Sequence, residues 1–351
     1  MPAPQDYETS TREARVTIKI GLLGCGDIAS VHARGYLAIL GETRVTAVSD
    51  VMEANAQAVA RDVGGARVFG DFHTLIAEGE IDAVDICLPH HLHKDAILAA
   101  AAAGKHILCE KPLCLNRHEA DAISRAIKVS GESVMCAHNQ LYYPAVQRAR
   151  EMLTEGILGR IYEIRTVEGF RLNNTELKSL LSWRGKKETM GGGELIDTGY
   201  HPAYMLLYLA DSKPVEVTAM LSTHRIQTMD GEDSAQVLVR FANGAVGNIV
   251  SSWAYDLRMG TWRFQVIGEH GQLYGRQNEL YCRIHDFEPA RLLQPEVDAF
   301  TAEIADFVAC LRDQRQPLQT AAHGIDVLKV IRAAYRSQEE KRTIDLSSDD
   351  W

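Results

Sequence analysis

One short run constrains the fold more than anything else in the chain. Val16 to Leu23 is an apolar stretch of strand character, and Gly24-Cys25-Gly26-Asp27-Ile28-Ala29 follows it at once. Ile28, Val31, Tyr36 and Leu37 then recur at roughly helical spacing. A strand that turns on glycines straight into a helix is the opening unit of a doubly wound parallel sheet. The glycines let the backbone turn tightly and approach a pyrophosphate, and the first helical N–H groups supply donors. A second strand, Arg44 to Ser49, ends on Asp50. That acid falls about twenty residues past the glycines, where a carboxylate accepts the ribose hydroxyls of NAD. A carboxylate there repels a 2′-phosphate, and no arginine follows immediately, so the residues favour NAD(H) over NADP(H). Gly24, Cys25, Gly26, Asp27 and Ile28 are the expected pyrophosphate cradle, with Asp50 as the ribose anchor.

The same rhythm continues. Glu53 to Asp62 has helical character, and Ala83 to Leu88 is a strand, apolar except for Asp85. Pro89-His90-His91-Leu92-His93 follows, then an alanine-rich helix to Ala103. Three close histidines invite a metal. No carboxylate or cysteine completes a ligand set, and the segment sits at a strand-to-helix turn, so none is expected. Ile107 to Cys109 reads as a short buried strand that ends on Glu110-Lys111-Pro112. Pro112 biases Lys111 away from helical geometry. The carboxyl ends of such strands are where open α/β sheets bind ligands. A lysine held there can stabilise negative charge as it develops on oxygen. An isolated Glu-Lys-Pro would read as a solvated turn; the material on either side changes that reading. A helix from about Asn116 to Val129 and a strand from Ser133 to Ala137 complete the alternation.

After Asn139 the pattern changes. Pro144 to Thr154 is helical. Strands are expected at Ile161–Val167, Glu216–Leu221, Ala235–Phe241, Ala245–Ser251, Trp262–Ile267 and Leu280–Ile284, with Asn243-Gly244 as a hairpin turn. Ala302–Arg312 and Gly324–Lys341 are closing helices. At 351 residues the chain exceeds what one core usually serves. The expected organisation is a loose polar arm at 1–15, a Rossmann domain at 16–138 and a substrate-binding and oligomerisation domain at 139–351. The second domain is α+β, with a large, mostly antiparallel sheet whose open face a partner subunit would cover. The polar end from Ser347 to Asp350 is expected to be loose. A formal net charge of −10 argues against nucleic acid or an anionic membrane as partner. No apolar run is long enough to span a bilayer. Seven cysteines without a Cys-x-x-Cys pair fit reduced thiols in a cytoplasmic protein.

A second constellation lies in the carboxyl-terminal half. Trp183-Arg184 precedes Met190-Gly191-Gly192-Gly193-Glu194-Leu195-Ile196-Asp197-Thr198-Gly199-Tyr200-His201. The glycines suggest a flexible loop that lets backbone approach a ligand. Asp197 and His201 are four apart, which would place both on one helical face. A histidine suits general acid/base work, and an acid one turn away could orient it. Taken alone, the two residues favour an ordinary helix-surface pair.

These residues together resemble the glucose-fructose oxidoreductase/inositol dehydrogenase family (Gfo/Idh/MocA). The resemblance rests on Gly24 to Ala29, Pro89 to His93, Gly104 to Pro112, Trp183-Arg184 and the glycine run through Asp197 to His201, and covers nearly the whole chain. It implies a Rossmann domain followed by an α/β domain with a large open sheet, and a cis Lys111–Pro112 bond. It also implies hydride transfer between NAD and a secondary alcohol of a sugar, inositol or similar polyol. The family's lysine, aspartate and histidine fall on Lys111, Asp197 and His201. Lys111 would steady the reacting oxygen, His201 remove its proton, and Asp197 position a hydroxyl and His201. Leu88, Pro89, His93 and Glu110 would line the cofactor, with Trp183 and Arg184 closing over it, in a homodimer or homotetramer. Leu141 stands where many relatives have arginine, and His90 where many have asparagine; these departures bear on substrate identity more than on reaction type. Two rivals from other classes are a relative with tightly held NAD acting as a glycosidase or epimerase, and a non-catalytic sugar or nucleotide sensor. Retention of Lys111, Asp197 and His201 together argues against the sensor.

Overall fold

The computed structural model describes residues 17–180, 182–257, 260–347 and 351. The expected arm at 1–15 and the residues 348–350 of the expected loose end lie outside them. The first strand, β1 (Ile18–Leu23), runs through the glycine turn into α1 (Asp27–Ala38). There follow β2 (Thr43–Ser49), α2 (Glu53–Asp62), β3 (Arg67–Phe69), α3 (Phe72–Glu78), β4 (Ala83–Ile86), α4 (His93–Ala102), β5 (His106–Glu110), α5 (Arg117–Ser130) and β6 (Val134–Ala137). All pair in parallel in the order β3-β2-β1-β4-β5-β6. The order reverses between β1 and β4, and ligands bind at such a switch point, outside the carboxyl ends of the strands. Leu23, Ser49, Ile86 and Glu110 end their strands there, so the glycine turn, Asp50, Leu88–Pro89 and Lys111 share one edge. Local chemistry supports these boundaries: the Asn116 side chain accepts from Glu119 N–H at 3.0 Å, and Glu119 reaches back to Leu115 N–H at 2.8 Å, capping α5.

The second half is built on β7 (Ile161–Gly169), preceded by α6 (Pro144–Thr154). Short helices α7 (Asn174–Leu180), α8 (Lys187–Met190) and α9 (Glu194–Asp197) lead into α10 (Tyr200–Ala210). The strands β8 (Pro214–Ser222), β9 (Ser234–Phe241), β10 (Val246–Ser252), β11 (Phe264–Gly268), β12 (Gly271–Arg276), β13 (Glu279–Ile284) and β14 (Ala290–Leu293) follow. The chain closes with α11 (Ala299–Asp313), α12 (Ala321–Glu340) and β15 (Ile344–Asp345). These strands form one nine-stranded sheet in the order β14-β13-β12-β11-β7-β10-β9-β8-β15, antiparallel except for the β7–β10 pair. Helices α6, α10 and α12 pack on one face of it. Helix α11 returns to the first sheet and packs on α1, so closely that a Cβ at Gly35 would lie 2.5 Å from Ile304 Cδ1. The strands β3, β12, β14 and β15 and the helices α3, α7 and α8 are additional to the elements expected from sequence; most are short or half-polar, which blunts their periodicity. Among the described residues, no helix is long and apolar enough to cross a membrane.

Candidate active site

The glycine turn is shaped for a dinucleotide. Gly24 adopts φ +86°, and a Cβ there would lie 2.6 Å from the Cys87 carbonyl oxygen, so only glycine lets β1 and β4 close at the switch point. Gly26 opens outward: a Cβ on it would meet no atom within 4 Å. It also caps α1 without a side-chain hydrogen bond, leaving the helix N-terminus bare for an anion. Cys25 is buried while Asp27 is exposed, with Ile28 between. Asp50 sits across the turn and accepts from Cys25 N–H at 2.8 Å and from Met52 N–H at 2.7 Å. Each carboxylate oxygen keeps a second lone pair, so the residue that braces the loop retains acceptors for hydroxyls.

Lys111 stands at the end of β5, and the peptide to Pro112 is cis. Its Nζ donates to Asp197 Oδ1 at 2.6 Å and to the Asp197 carbonyl at 3.0 Å. Arg184 Nε donates to the other carboxylate oxygen at 3.0 Å. Burial works to raise the Asp197 pKa, but the charges of Lys111 and then Arg184 outweigh it and hold the carboxyl well below its usual range. Arg184 also stacks on the Trp183 ring at 4.4 Å, and Trp183 meets His90 edge-on at 4.6 Å. Trp183 and Arg184 thus form one rim of the cluster. His90 is buried and bonded through Nδ1 to the Met190 carbonyl at 3.0 Å; burial pushes its pKa down to about 3.

His201 joins this cluster by a different route from the one expected. Helix α9 stops at Asp197, and Gly199 N–H reaches the Glu194 carbonyl at 3.0 Å, one residue beyond the α-helical partner. This wide turn separates Asp197 from His201, which lies in the first turn of α10, so the two do not share one continuous helix. Both Asp197 oxygens are engaged by Lys111 and Arg184, while His201 Nδ1 pairs with the Tyr204 hydroxyl at 2.7 Å. The spacing assigns the orienting of His201 to Asp197; in the structure that contact belongs to Tyr204. Burial, then the nearby Lys111, push the His201 pKa down to about 3, which keeps the imidazole neutral.

The glycine run before α9 also differs from expectation. A Cβ at Gly192 would lie 2.2 Å from the Tyr335 hydroxyl, and one at Gly193 would lie 2.3 Å from the Glu232 carbonyl. These glycines permit close packing against the protein rather than against a ligand.

Leu88 and Pro89 stand half-buried just past the end of β4, on the same sheet edge as the glycine turn. His93 and Glu110 face inward beneath them. His93 Nδ1 and Nε2 lie 2.7 Å from the Pro112 and Leu88 carbonyls, so its ring ties the ends of β4 and β5 together. Glu110 accepts from Lys111 N–H at 3.0 Å and faces His32 Nε2 at 3.2 Å, while His32 Nδ1 faces Asp85 at 2.8 Å. Burial opposes charge on His32, but Asp85 prevails and its pKa lies well above the ordinary value. Among the described residues His32, Asp85 and Cys87 are close enough to share a metal ion, yet His32 and Asp85 already bond each other. This buried chain fixes the backbone that presents Lys111. Beyond Tyr204 a further polar run leads away from the cluster: Gln140 Nε2 donates to Glu168 at 3.1 Å, and Glu168 pairs with Arg263 in a cavity shared with Trp262 and Arg276.

Sequence reasoning missed His32, Asp85, Asn139, Gln140, Glu168 and Tyr204 as parts of this neighbourhood. A usable signal existed for two of them: Asn139 follows a strand end, and Tyr204 lies three residues after His201 on the same helical face.

Residues 18–138 match the family model described as "Oxidoreductase family, NAD-binding Rossmann fold", and residues 146–274 match that of the "GFO/IDH/MocA C-terminal domain". The levoglucosan dehydrogenase of Pseudarthrobacter phenanthrenivorans is 32% identical over 297 residues, 75% of each chain. The myo-inositol 2-dehydrogenase of Thermotoga maritima is 26% identical over 344 residues, covering 94% of this chain and 98% of that one. Among solved structures, a levoglucosan dehydrogenase in complex with NADH and levoglucosan superimposes with a TM-score of 0.87 at 25% identity, covering 95% of this chain and all of the other.

Proposed function

The chain belongs to the GFO/IDH/MocA oxidoreductase family and carries its NAD-binding Rossmann domain, and from that premise we propose that it is an NAD-dependent dehydrogenase or reductase acting on a secondary alcohol or ketone of a sugar, inositol or related polyol. One observation carries the reading. Lys111, Asp197 and His201 gather at the carboxyl edge of the parallel sheet that also holds the glycine turn. The names of the relatives agree on the substrate class.

Each residue then has a task. An ammonium offers three donors. Two from Lys111 go to Asp197, and the third is free to hydrogen-bond the reacting oxygen and steady it as an alkoxide develops. Neutral His201 accepts the hydroxyl proton through a ring nitrogen. Asp197 keeps Lys111 charged and oriented rather than acting on His201. Gly24 to Ile28 hold the pyrophosphate and Asp50 the adenosine ribose, with Leu88 and Pro89 along the edge and Trp183 and Arg184 at the rim. NAD, when bound, supplies the acceptor for the carbinol hydride. The polar wall of Gln140, Glu168 and Arg263 suits a ligand rich in hydroxyls.

The unit division near Asn139 separates cofactor from substrate binding, with α11 packed back on the first unit. Assembly is as a homodimer or homotetramer through the open sheet face. The seven cysteines are all free, which suits a reducing cytoplasm. The deciding experiment is a panel of sugars, inositols and sugar acids, each with NAD and with NADP, followed by NADH or NADPH absorbance. Steady NADH formation with one polyol class is expected. A panel in which none of them reduces NAD would sink the reading.

A further inference from the structure

We propose that Tyr204 is a positioning residue that fixes the tautomer of His201, holding the proton on Nδ1 and leaving Nε2 as the free base. The inference rests on the reading of His201 as the proton acceptor.

The protons around one hydroxyl decide the tautomer. Tyr204 Oη has three neighbours: Gln140 N at 3.2 Å, His201 Nδ1 at 2.7 Å and Asn139 Oδ1 at 3.3 Å. A backbone N–H only donates, so Gln140 takes one Tyr204 lone pair. An amide oxygen only accepts, so the single phenolic proton goes to Asn139. The contact with His201 is then satisfied only if Nδ1 carries a proton and donates it to Tyr204. In the opposite arrangement Tyr204 gives its proton to His201, and two bare oxygens face each other across the 3.3 Å contact with Asn139.

Among the described residues no other side chain hydrogen-bonds the ring. The charged and titratable groups facing His201 are Lys111 and Glu110 from the end of β5, Asp197 from α9 and His138 from the end of β6. They set its electrostatic surroundings, while Tyr204 supplies the hydrogen bond. The tyrosine is itself buried and packed. It is 1% exposed, and its ring stacks on His138 at 4.3 Å and 18°. A carboxylate in its place would draw His201 towards the cation and spoil it as a base. A neutral phenol orients without charging.

The test needs no substrate at first. With histidine labelled in both ring nitrogens, long-range 15N–1H correlation spectra of the whole protein at neutral pH report the tautomer, and the His201 signals are those lost in His201→Ala. Wild type should show Nδ1–H with an unprotonated Nε2. Tyr204→Phe keeps the stacked ring and should move His201 towards Nε2–H. Asn139→Ala frees the phenolic proton to turn to Nδ1 and should give Nε2–H with both His201 and Tyr204 intact, whereas Asn139→Asp keeps an acceptor and the wild-type tautomer. An Nε2–H wild type, or a Tyr204→Phe spectrum unchanged from wild type, overturns the proposal. With the best substrate of the panel, Tyr204→Phe should lower kcat at least about tenfold with KM and NADH affinity held, since a wrong tautomer can cost up to about 10⁴. A fully active His201→Ala overturns instead the base assignment made under the proposed function, and the spectra judge the tautomer separately.

Discussion

Lys111 carries three ammonium protons, and Asp197 accounts for two of them. The third makes a sharp prediction. Lys111→Ala should lower kcat by about 10²–10³, the usual loss when one donor to a developing oxyanion is removed. KM should rise less than kcat falls, because the ammonium acts on the transition-state oxygen more than on the ground-state hydroxyl. NADH fluorescence titration should show binding retained. Lys111→Arg should rescue poorly, since a planar fork replaces a point charge that fits between Asp197 and the substrate. Near-normal turnover in Lys111→Ala would make this lysine a structural partner of Asp197 only. Lys111 is legible from sequence because its strand, its proline and its place on the sheet edge all lie within a few residues. Tyr204 is legible only in part: its place three residues after His201 is local, but its role depends on Asn139 and Gln140, far away in the chain. His90 shows the same limit: its sequence neighbours show only a strand-to-helix turn, while its contacts are with Met190 and Trp183.

At the scale of elements, the joint between α9 and α10 sets the geometry of the site. A continuous helix would put Asp197 and His201 one turn apart and let the acid orient the base. The wide turn at Gly199 instead sends Asp197 to Lys111 and leaves His201 to Tyr204. Four-residue spacing in the sequence cannot reveal this, because the break comes from tertiary packing. A Cβ at Gly199 would lie 2.7 Å from both Leu195 Cα and Ser251 Oγ. Gly199→Ala should therefore force the turn apart, costing about 1–3 kcal/mol as overpacking typically does. A lowered thermal midpoint and a fall in kcat larger than any change in NADH affinity are expected, because the glycine turn proposed to hold the pyrophosphate lies on the parallel sheet instead. An unchanged melting temperature together with unchanged kcat would show that the turn yields freely and sets nothing. The parallel sheet, by contrast, is read almost whole from the sequence. Its central strands are mostly apolar, with Lys19, Asp85, His106 and Glu110 as the polar exceptions, and each is followed by a helix.

For the whole molecule the open question is what lies on the uncovered face of the nine-stranded sheet. At about 4.8 Å per strand that face is about 40 Å wide, enough for the roughly 800 Å² per partner that a stable interface buries. Helices α6, α10 and α12 occupy the other side. An antiparallel sheet can present one polar face to water, so exposure alone decides nothing. Composition does more. Met220 is 75% exposed and Leu238 50%, on β8 and β9, at positions that alternate with the buried Ala219, Val237 and Val239. Farther along, Trp262 packs on Tyr274 and Tyr281, whose rings stack at 5.3 Å. Tyrosine and tryptophan in such a row are what subunit interfaces favour over bare surface. The protein should therefore run as a dimer or tetramer in light scattering at micromolar concentration. Met220→Asp combined with Leu238→Asp should shift it to a smaller species while leaving its circular dichroism unchanged, since both side chains point away from the core. A wild type that is monomeric at that concentration would leave the open face solvated and refute the assembly.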